Sequence, residues 1–459
     1  MDLERLVAAL EPVEVLGRWV EVRDLACDAR AVGPGALFFA VPGERADGHD
    51  FAAEAVERGA VALVVERGLD LPVPQVVVSD ARAAMASAAD VFFGEPTREL
   101  EVTGVTGTSG KTTTSFLLFA ILAAAGRRPG LLGTIEARVG GERRGVVRTT
   151  PEAIDLQRVF REMLDAGDRS CAMEASSHAS VLHRLDNVRF AALVFTNLSQ
   201  DHLDFHGDME SYFEAKRRLF LVEPRPIAVV NVGDEYGRRL ARELPDAITF
   251  SAAHASALDG IELRLRGSFN VENALGAFHA ARALGIEDDA IRQGLESVRG
   301  VPGRFESVDA GQPFHVIVDY AHKPDALEKV LRAARDLAGE RQVICVVGAG
   351  GDRDRGKRAV MGELASELAD VVIVTSDNPR SEDPEAIAAE IVSGAAGEVE
   401  IELDRSVAIG RAVGIAQPGD VVLIAGKGAE QGQEFADRTV PFDDRETAKE
   451  ALRALEART

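Results

Sequence analysis

Residues 101–114 read EVTGVTGTSGKTTT, a short strand, a glycine loop and the start of a helix. The common phosphate-loop spacing is Gly-x-x-x-x-Gly-Lys-Ser/Thr. Counted back from Gly110-Lys111-Thr112, its first glycine falls on Val105; the glycines present are Gly104 and Gly107. The stretch is therefore a chance glycine turn, a damaged nucleotide loop, or the loop of a distinct lineage of ATP users. Its position between strand and helix disfavours the first. Backbone N–H groups of Gly107, Thr108, Ser109 and Gly110 can converge on phosphate at the helix N-terminus. Lys111 would neutralise the β- and γ-phosphates, Thr112 would reach Mg²⁺, and Thr113 continues the loop into the helix.

Composition narrows the classes around that loop. A chain of 459 residues suggests about three domains. It is 46% hydrophobic but only 5% aromatic, so aliphatic side chains must fill the cores. No run of ~18 apolar residues could span a bilayer. The N-terminal MDLERLVAALEPVEVLG lacks the basic start and cleavage site of a signal peptide. Cys27, Cys171 and Cys345 are far apart and form no metal-type pair, as expected in a reducing cytosol. The expectation is a cytoplasmic monomer without membrane insertion. A formal charge of −23 argues against nucleic acid as partner, because that binding needs neutralised phosphates. Of 52 basic residues only seven are lysine: Lys111, Lys216, Lys323, Lys329, Lys357, Lys427 and Lys449. In an arginine-biased chain, a lysine can mark a position that needs a compact, modifiable amine.

Apolar runs divide the chain into α/β units. Residues 36–41, 61–65 and 75–78 read as strands and 50–59 and 80–93 as helices, the second opening on an Asp cap. A second unit starts with the strand 101–106, the glycine loop and a helix stopped at Gly126. CAMEA, AALVFTN and IAVVNV follow as central strands, and 270–284 closes the unit as a helix. VRGVPGRFE reads as a hinge. After it, strands HVIVDY, QVICVVG, DVVIVTS and DVVLIAG alternate with helices at 324–339, 357–369 and 384–394. Such alternation predicts a doubly wound, mostly parallel sheet with ligands at the carboxyl ends of its strands. The expected domains are 1–98, a small α/β uridine-nucleotide domain; 99–300, a P-loop ATPase-like parallel sheet; and 301–459, a Rossmann-like doubly wound sheet.

TGTSGKTTT resembles the ATP loop of the Mur ligases, which share it with folylpolyglutamate synthetases, and in that family the shifted glycine is normal. The resemblance runs the length of the chain, through RTTPEAIDL (148–156), MEASSHA (173–179), FTNLSQDHLDFHGDMESYFEAK (195–216), FNVENAL (269–275), VPGRFE (301–306), VDYAHKPDALE (318–328), GAGGDRDRGKR (348–358), TSDNPR (375–380) and GKGAEQGQ (426–433). It implies ATP-driven amide formation through an acyl phosphate. Two anions must then meet before an amine arrives, so cationic and metal clamps should carry most of the catalysis.

Several roles follow from residue chemistry and the resemblance together. Glu174 offers hard oxygen chemistry for Mg²⁺; His202 is a less usual ligand, since an imidazole on Mg²⁺ is uncommon and a lone histidine is more often structural. The resemblance puts both at a metal between the γ-phosphate and the substrate carboxylate. Lys216 is either a solvated helix lysine or, as the family implies, a CO₂-modified lysine whose carbamate orients Mg²⁺. Lys329 and Lys449 read as helix-surface residues. By resemblance, Asn270, Arg304, Asp319 and His322 lie near the adenosine and phosphates. Arg30, Thr149, Thr150, Ser176 and Arg184 hold UDP-MurNAc-L-Ala-D-Glu.

The incoming amino acid is read from Asp377-Asn378-Pro379-Arg380. By itself this is an Asx-Pro turn with a solvated arginine. The resemblance makes it a pocket for meso-diaminopimelate, with Arg380 on the distal carboxylate, Arg353 and Gly426 completing the wall, and Glu430 on the distal ammonium. The alternatives are an L-lysine-adding ligase, a folylpolyglutamate-type ligase and a non-catalytic nucleotide binder. Two departures bear on the sites. The family's Asp-Ser-Arg is Asp28-Ala29-Arg30 here, and its Gly-Lys-Gly-His-Glu has Ala429 in place of histidine. The segment between ITFSAAHA and LRGSFN is also short, consistent with a lost surface hairpin.

Overall fold

The computed structural model describes residues 1–43 and 46–457. Glu44 and Arg45, within the expected uridine-binding stretch, lie outside the described residues.

Among the described residues the chain forms three α/β sheets in succession, and Gly432–Glu434 pairs with Thr439–Pro441 as a separate two-stranded sheet. The first has five strands, drawn from Glu14–Leu16, Asp24–Ala26, Ala36–Phe39, Ala60–Val65 and Gln75–Val77. Its last four strands in chain order pair in parallel, and Glu14–Leu16 closes one edge antiparallel. Helix Ala81–Phe92 starts where the sequence indicates, the Asp80 side chain accepting from the N–H groups of Arg82 and Ala83. This helix packs on the later helix Ala153–Ala166, so Ala153 and Ile154 join the core of the first sheet.

The second sheet has eight strands, and Glu101–Thr106 lies between Ser170–Glu174 and Phe190–Phe195, parallel to both. Side chains on successive residues of these strands enter opposite cores: Cys171 and Met173 one, Ala172 the other; Leu193 and Phe195 one, Val194 the other. Both faces are dry, which is why such strands read as continuous apolar runs. Helices Lys111–Ala124 and Ser268–Ala283 cover one face together with Asp288–Ser297. The sequence reading missed the antiparallel extension Ala137–Val139 and Glu142–Arg144. These strands are three residues long, and the second, Glu-Arg-Arg, is exposed throughout, so they carry no apolar run. The end of ITFSAAHA runs into a 3₁₀ helix, Ala252–Leu258, and the short segment after it links to Ser268.

The third sheet has six strands: His315–Asp319, Val343–Val347, Val371–Val374, Glu400–Ile401 and Val421–Ala425 are parallel, and Glu306–Ser307 is an antiparallel edge. Helices Pro324–Ala338, Gly356–Leu368 and Pro384–Val392 match the expected positions. Arg405–Ile415 and Asp444–Glu456, which the sequence reading did not place, cover the other face. They are joined by a fully buried ion pair: Arg405 Nε and Nη2 donate to the two Asp444 carboxylate oxygens at 2.7 Å each. Arg405 also donates to the carbonyls of Ala425 (3.0 Å) and Ser376 (3.4 Å). It therefore holds the carboxyl ends of two strands whose loops continue into Asp377 and Gly426.

Removing one member of a buried pair strands the other as an uncompensated charge. Asp444→Ala is expected to cost about 3–5 kcal/mol, measurable as a lowered denaturation midpoint; a cost under about 1 kcal/mol would mean that Arg405 finds other partners.

Candidate active site

The glycine loop owes its position to register. Val105 pairs with Glu174 and Thr106 with Phe195, so three strand ends converge on one point. Gly107 has φ +143°, and a side chain there would sit 1.9 Å from Thr196 Oγ1. Gly110, with φ +87°, precedes the helix and would meet Asn273 Oδ1 at 2.3 Å. Both positions need the missing Cβ. No side chain caps the helix at Gly110, which leaves its first N–H groups for an anion. Asn197 closes the loop from outside, Oδ1 accepting from Ser109 N (3.0 Å) and Nδ2 donating to Ser109 O (3.2 Å).

Two ammonium groups meet on this loop, Lys216 fully buried and Lys111 half-buried. Lys111 Nζ donates to the carbonyls of Gly107 and Thr108, and Lys216 Nζ to the same Gly107 carbonyl, all at 2.9 Å. Lys216 Nζ also lies 4.5 Å from the centre of the Tyr212 ring. Burial lowers Lys111 from its ordinary 10.5 to about 8, opposed by the nearby Glu174 charge. Burial, then repulsion from Lys111, holds Lys216 well below the usual lysine range. Lys216 is thus an interior residue.

Glu174 is buried against Thr134, accepting from its N–H (2.7 Å) and hydroxyl (3.1 Å). His202 has φ +53° and directs Nε2 to Asp201 Oδ2 at 2.8 Å. Its ring meets His178 edge-on, centroids 4.6 Å apart, and burial followed by repulsion from His202 lowers His178 to about 4. Among the described residues no group of three His, Cys, Asp or Glu side chains could hold a metal. The oxygen donors near the loop, Glu174 and Thr112, suit a hard cation that takes its remaining ligands from phosphate.

A cavity of about 710 Å³ joins these groups, within the size range of small-ligand sites. Its walls include Lys111, Thr112, Glu174, His202 and Lys216, and also Arg304, Asp319 and His322 from the C-terminal segment. Arg304 lies 4.5 Å from the Tyr320 ring and donates to Thr112 Oγ1 at 3.2 Å. Asp319 accepts from the N–H groups of Phe305 (2.6 Å) and Ala321 (2.7 Å); burial nonetheless raises it to about 6. Burial keeps His322 neutral, its Nδ1 bonded to the Tyr320 carbonyl at 2.8 Å. Asn270 is buried, with Nδ2 on Arg266 O (2.7 Å) and Oδ1 on Asn273 (2.9 Å).

Thr149, Thr150, Ser176 and Arg184 line the same cavity. Thr150 Oγ1 donates to Glu174 O at 2.9 Å and lies 3.2 Å from Ser176 Oγ, while Arg184 Nη2 donates to Glu152 Oε1 at 2.7 Å. Arg30 is not brought there. It is exposed and bound to Asp28. Arg353 reaches the cavity wall, whereas Asp377, Asn378, Arg380, Gly426 and Glu430 do not line it. Gly350 separates the two arginines, its Cβ position 3.8 Å from Arg353 Cγ and 3.0 Å from Arg380 Nη1. Arg380 donates to Glu434 Oε2 and Gly351 O, both at 2.8 Å. Asn378 Oδ1 accepts from Lys427 Nζ at 2.8 Å, and Lys427 also reaches Glu430 Oε2 at 3.1 Å.

Sequence reasoning assigned no role to Thr196, Asn197, Asn273, Asp201 or Lys427. Asn273 follows Asn270 by one helical turn, and Thr196-Asn197 ends a strand, so position alone could have flagged them. Lys329, read as a surface residue, contributes to the cavity wall at its half-exposed edge.

Comparison with known proteins accounts for this arrangement. Residues 21–97 match the Mur ligase family catalytic domain, 105–259 the Mur ligase middle domain, and 303–428 the Mur ligase glutamate ligase domain. The chain belongs to the Mur ligase family. The UDP-N-acetylmuramoyl-L-alanyl-D-glutamate--2,6-diaminopimelate ligase of Streptomyces coelicolor is 46% identical over 471 residues, spanning 94% of this chain and 93% of that protein. The ligase of the same name from Geobacter metallireducens is 44% identical over 510 residues, spanning 100% and 99%. A solved structure of a ligase of that name superposes with TM-score 0.68 at 32% identity, covering 97% of this chain and 98% of that one. Mycobacterium tuberculosis folylpolyglutamate synthase shares the fold alone, at TM-score 0.59 and 19% identity over 82% of this Mur ligase and 95% of that enzyme.

The raised Asp319 carboxyl makes a pH prediction. The unfolded side chain loses its proton near 3.8 and the folded one near 6. The folded state therefore binds more protons between those values, and this group's stabilisation falls as pH rises through them. The stability advantage of the parent over Asp319→Asn should shrink from pH 4 to 6 and level off above pH 7, read from denaturant titrations.

Proposed function

We propose that this Mur ligase joins the D-glutamyl carboxylate of UDP-MurNAc-L-Ala-D-Glu to meso-diaminopimelate, forming ADP and phosphate. The observation that carries the reading is the shared cavity: a phosphate loop with two amines opens onto the wall of Thr149, Thr150, Ser176 and Arg184. The names of relatives matching nearly the whole chain point the same way. The domains are taken as 1–98, 99–300 and 301–459, with the uridine end of the substrate on the first. No helix of the described residues is long and apolar enough to cross a membrane, in keeping with a cytoplasmic enzyme.

In this reading the loop N–H groups and Lys111 hold the β- and γ-phosphates, with Asn270, Arg304, Asp319 and His322 around the nucleotide. The substrate carboxylate attacks the γ-phosphorus and ADP leaves. The diaminopimelate amine then attacks the acyl carbon, phosphate departs and the amine gives up a proton. Mg²⁺, with Thr112, Glu174, His202 and the carbamate of Lys216 as candidate ligands, supplies charge neutralisation between the two anions. Lys216 suits carbamate formation because its buried amine is disfavoured as a cation. Arg353, Asp377, Asn378, Gly426 and Glu430 shape the amino-acid pocket, and Arg380 takes the distal carboxylate.

The direct test supplies purified protein with UDP-MurNAc-L-Ala-D-Glu, ATP, Mg²⁺ and either amino acid, and identifies the product by mass. Diaminopimelate should be the substrate and lysine a poor one; a preference for lysine would reverse the assignment of the pocket. Losing a charge-assisted partner of this kind costs about 2–5 kcal/mol, so Arg380→Ala should reduce diaminopimelate use at least ~30-fold and narrow the preference over lysine. Lys216→Ala should nearly abolish ligation without unfolding the protein, and short-chain carboxylic acids should restore part of the rate. Full activity in Lys216→Arg would rule out the carbamate, because a guanidinium cannot form one.

A further inference from the structure

Lys323 is one of the seven lysines, yet none of the roles above uses it. It lies on the cavity wall just before helix Pro324–Ala338 of the C-terminal segment. Its ammonium contacts Asp201 Oδ2, 122 positions away on the loop after the strand Phe190–Phe195. Both side chains are largely buried, 15% and 12% exposed. His202 Nε2 lies 2.8 Å from the same oxygen. One carboxylate oxygen thus faces a nitrogen from each of two sheets' loops.

The arrangement has a chemical consequence for the histidine. A neutral imidazole that donates through Nε2 keeps its lone pair on Nδ1. A carboxylate on one ring nitrogen is the usual means of orienting a histidine whose other nitrogen serves as a ligand. Asp201 performs that task only while its own side chain is held, and Lys323 is the group that holds it from across the interface. A second crossing contact, Ser199 Oγ to Asp325 Oδ2 at 2.9 Å, joins the same two segments without touching His202. That provides an internal control.

We propose that Lys323 is a positioning residue supplied by the C-terminal segment, acting through Asp201 to set the orientation and tautomer of His202. The candidate metal side of the central loop is then complete only when the C-terminal segment is seated. The inference rests on the ligase reading for its importance to the rate, but not for its geometry.

The test uses the full chain with ¹⁵N-labelled histidine, the His202 signals being assigned by their loss in His202→Gln. In the substrate-free parent the proton should reside on Nε2. Lys323→Met should convert this to a mixed-tautomer signal, while Lys323→Arg and Ser199→Ala should keep the parent pattern. In the ligation assay Lys323→Met should lower kcat about 10- to 100-fold, with KM for ATP within about twofold and recovery in Lys323→Arg. Unchanged His202 signals in Lys323→Met would overturn the proposal, as would an equal change in Ser199→Ala. A raised KM for ATP with unaltered kcat would also overturn it, making Lys323 a nucleotide contact instead. If the parent shows the Nε2 tautomer but no ligation, the ligase reading fails while the positioning inference stands.

Discussion

A single backbone carbonyl, that of Gly107, accepts hydrogen bonds from two ammonium groups, Lys111 and Lys216. Burial lowers Lys111 to about 8, and burial followed by repulsion from Lys111 holds Lys216 well below its ordinary range. The site is therefore short of negative charge until phosphate arrives. Much of the surrounding structure serves that condition. Gly107 can approach Thr196 only without a side chain, Asn197 pins the loop from outside, and Glu174 brings the compensating carboxylate on the adjacent strand.

The same logic separates what the two remaining segments contribute. Parallel strands deliver their loops to one edge, so the central sheet gathers Gly107, Glu174 and Asn197 without long-range ingenuity. The C-terminal sheet does the same for Asp319, Asp377 and Gly426, with Arg405 and Asp444 bracing two of those strand ends. Between these two segments the polar links are Arg304 on Thr112, Ser199 on Asp325 and Lys323 on Asp201, and Phe269 packs edge-on against Phe305 of the C-terminal core.

The proposed amino-acid pocket shows where residue-by-residue inference needs the tertiary context. Asn378, Arg380 and Glu430 already hold partners: Lys427 and Glu430, Glu434 and Gly351, and Asn378 and Lys427, respectively. Lys427, fully buried, was visible in the sequence only as a lysine in a glycine loop. Besides Glu430 in its own loop, its partner Asn378 lies 49 positions away, and no local pattern encodes that meeting.

Read alone, the chain determined its three α/β units, the order of their principal strands and helices, and the phosphate loop, because apolar runs, Asp caps and glycines act over a few residues. The three-residue strands around 137–144 and the helices at 405–415 and 444–456 escaped that reading, the strands because they carry no apolar run. Tertiary structure alone decided that Lys216 is interior, that Arg30 stands apart from the main cavity, and that Asp201 joins His202 to Lys323. Burial and charge pairing depend on which distant segments are packed together, and it is the sheet register, not the local sequence, that brings those segments within hydrogen-bond reach.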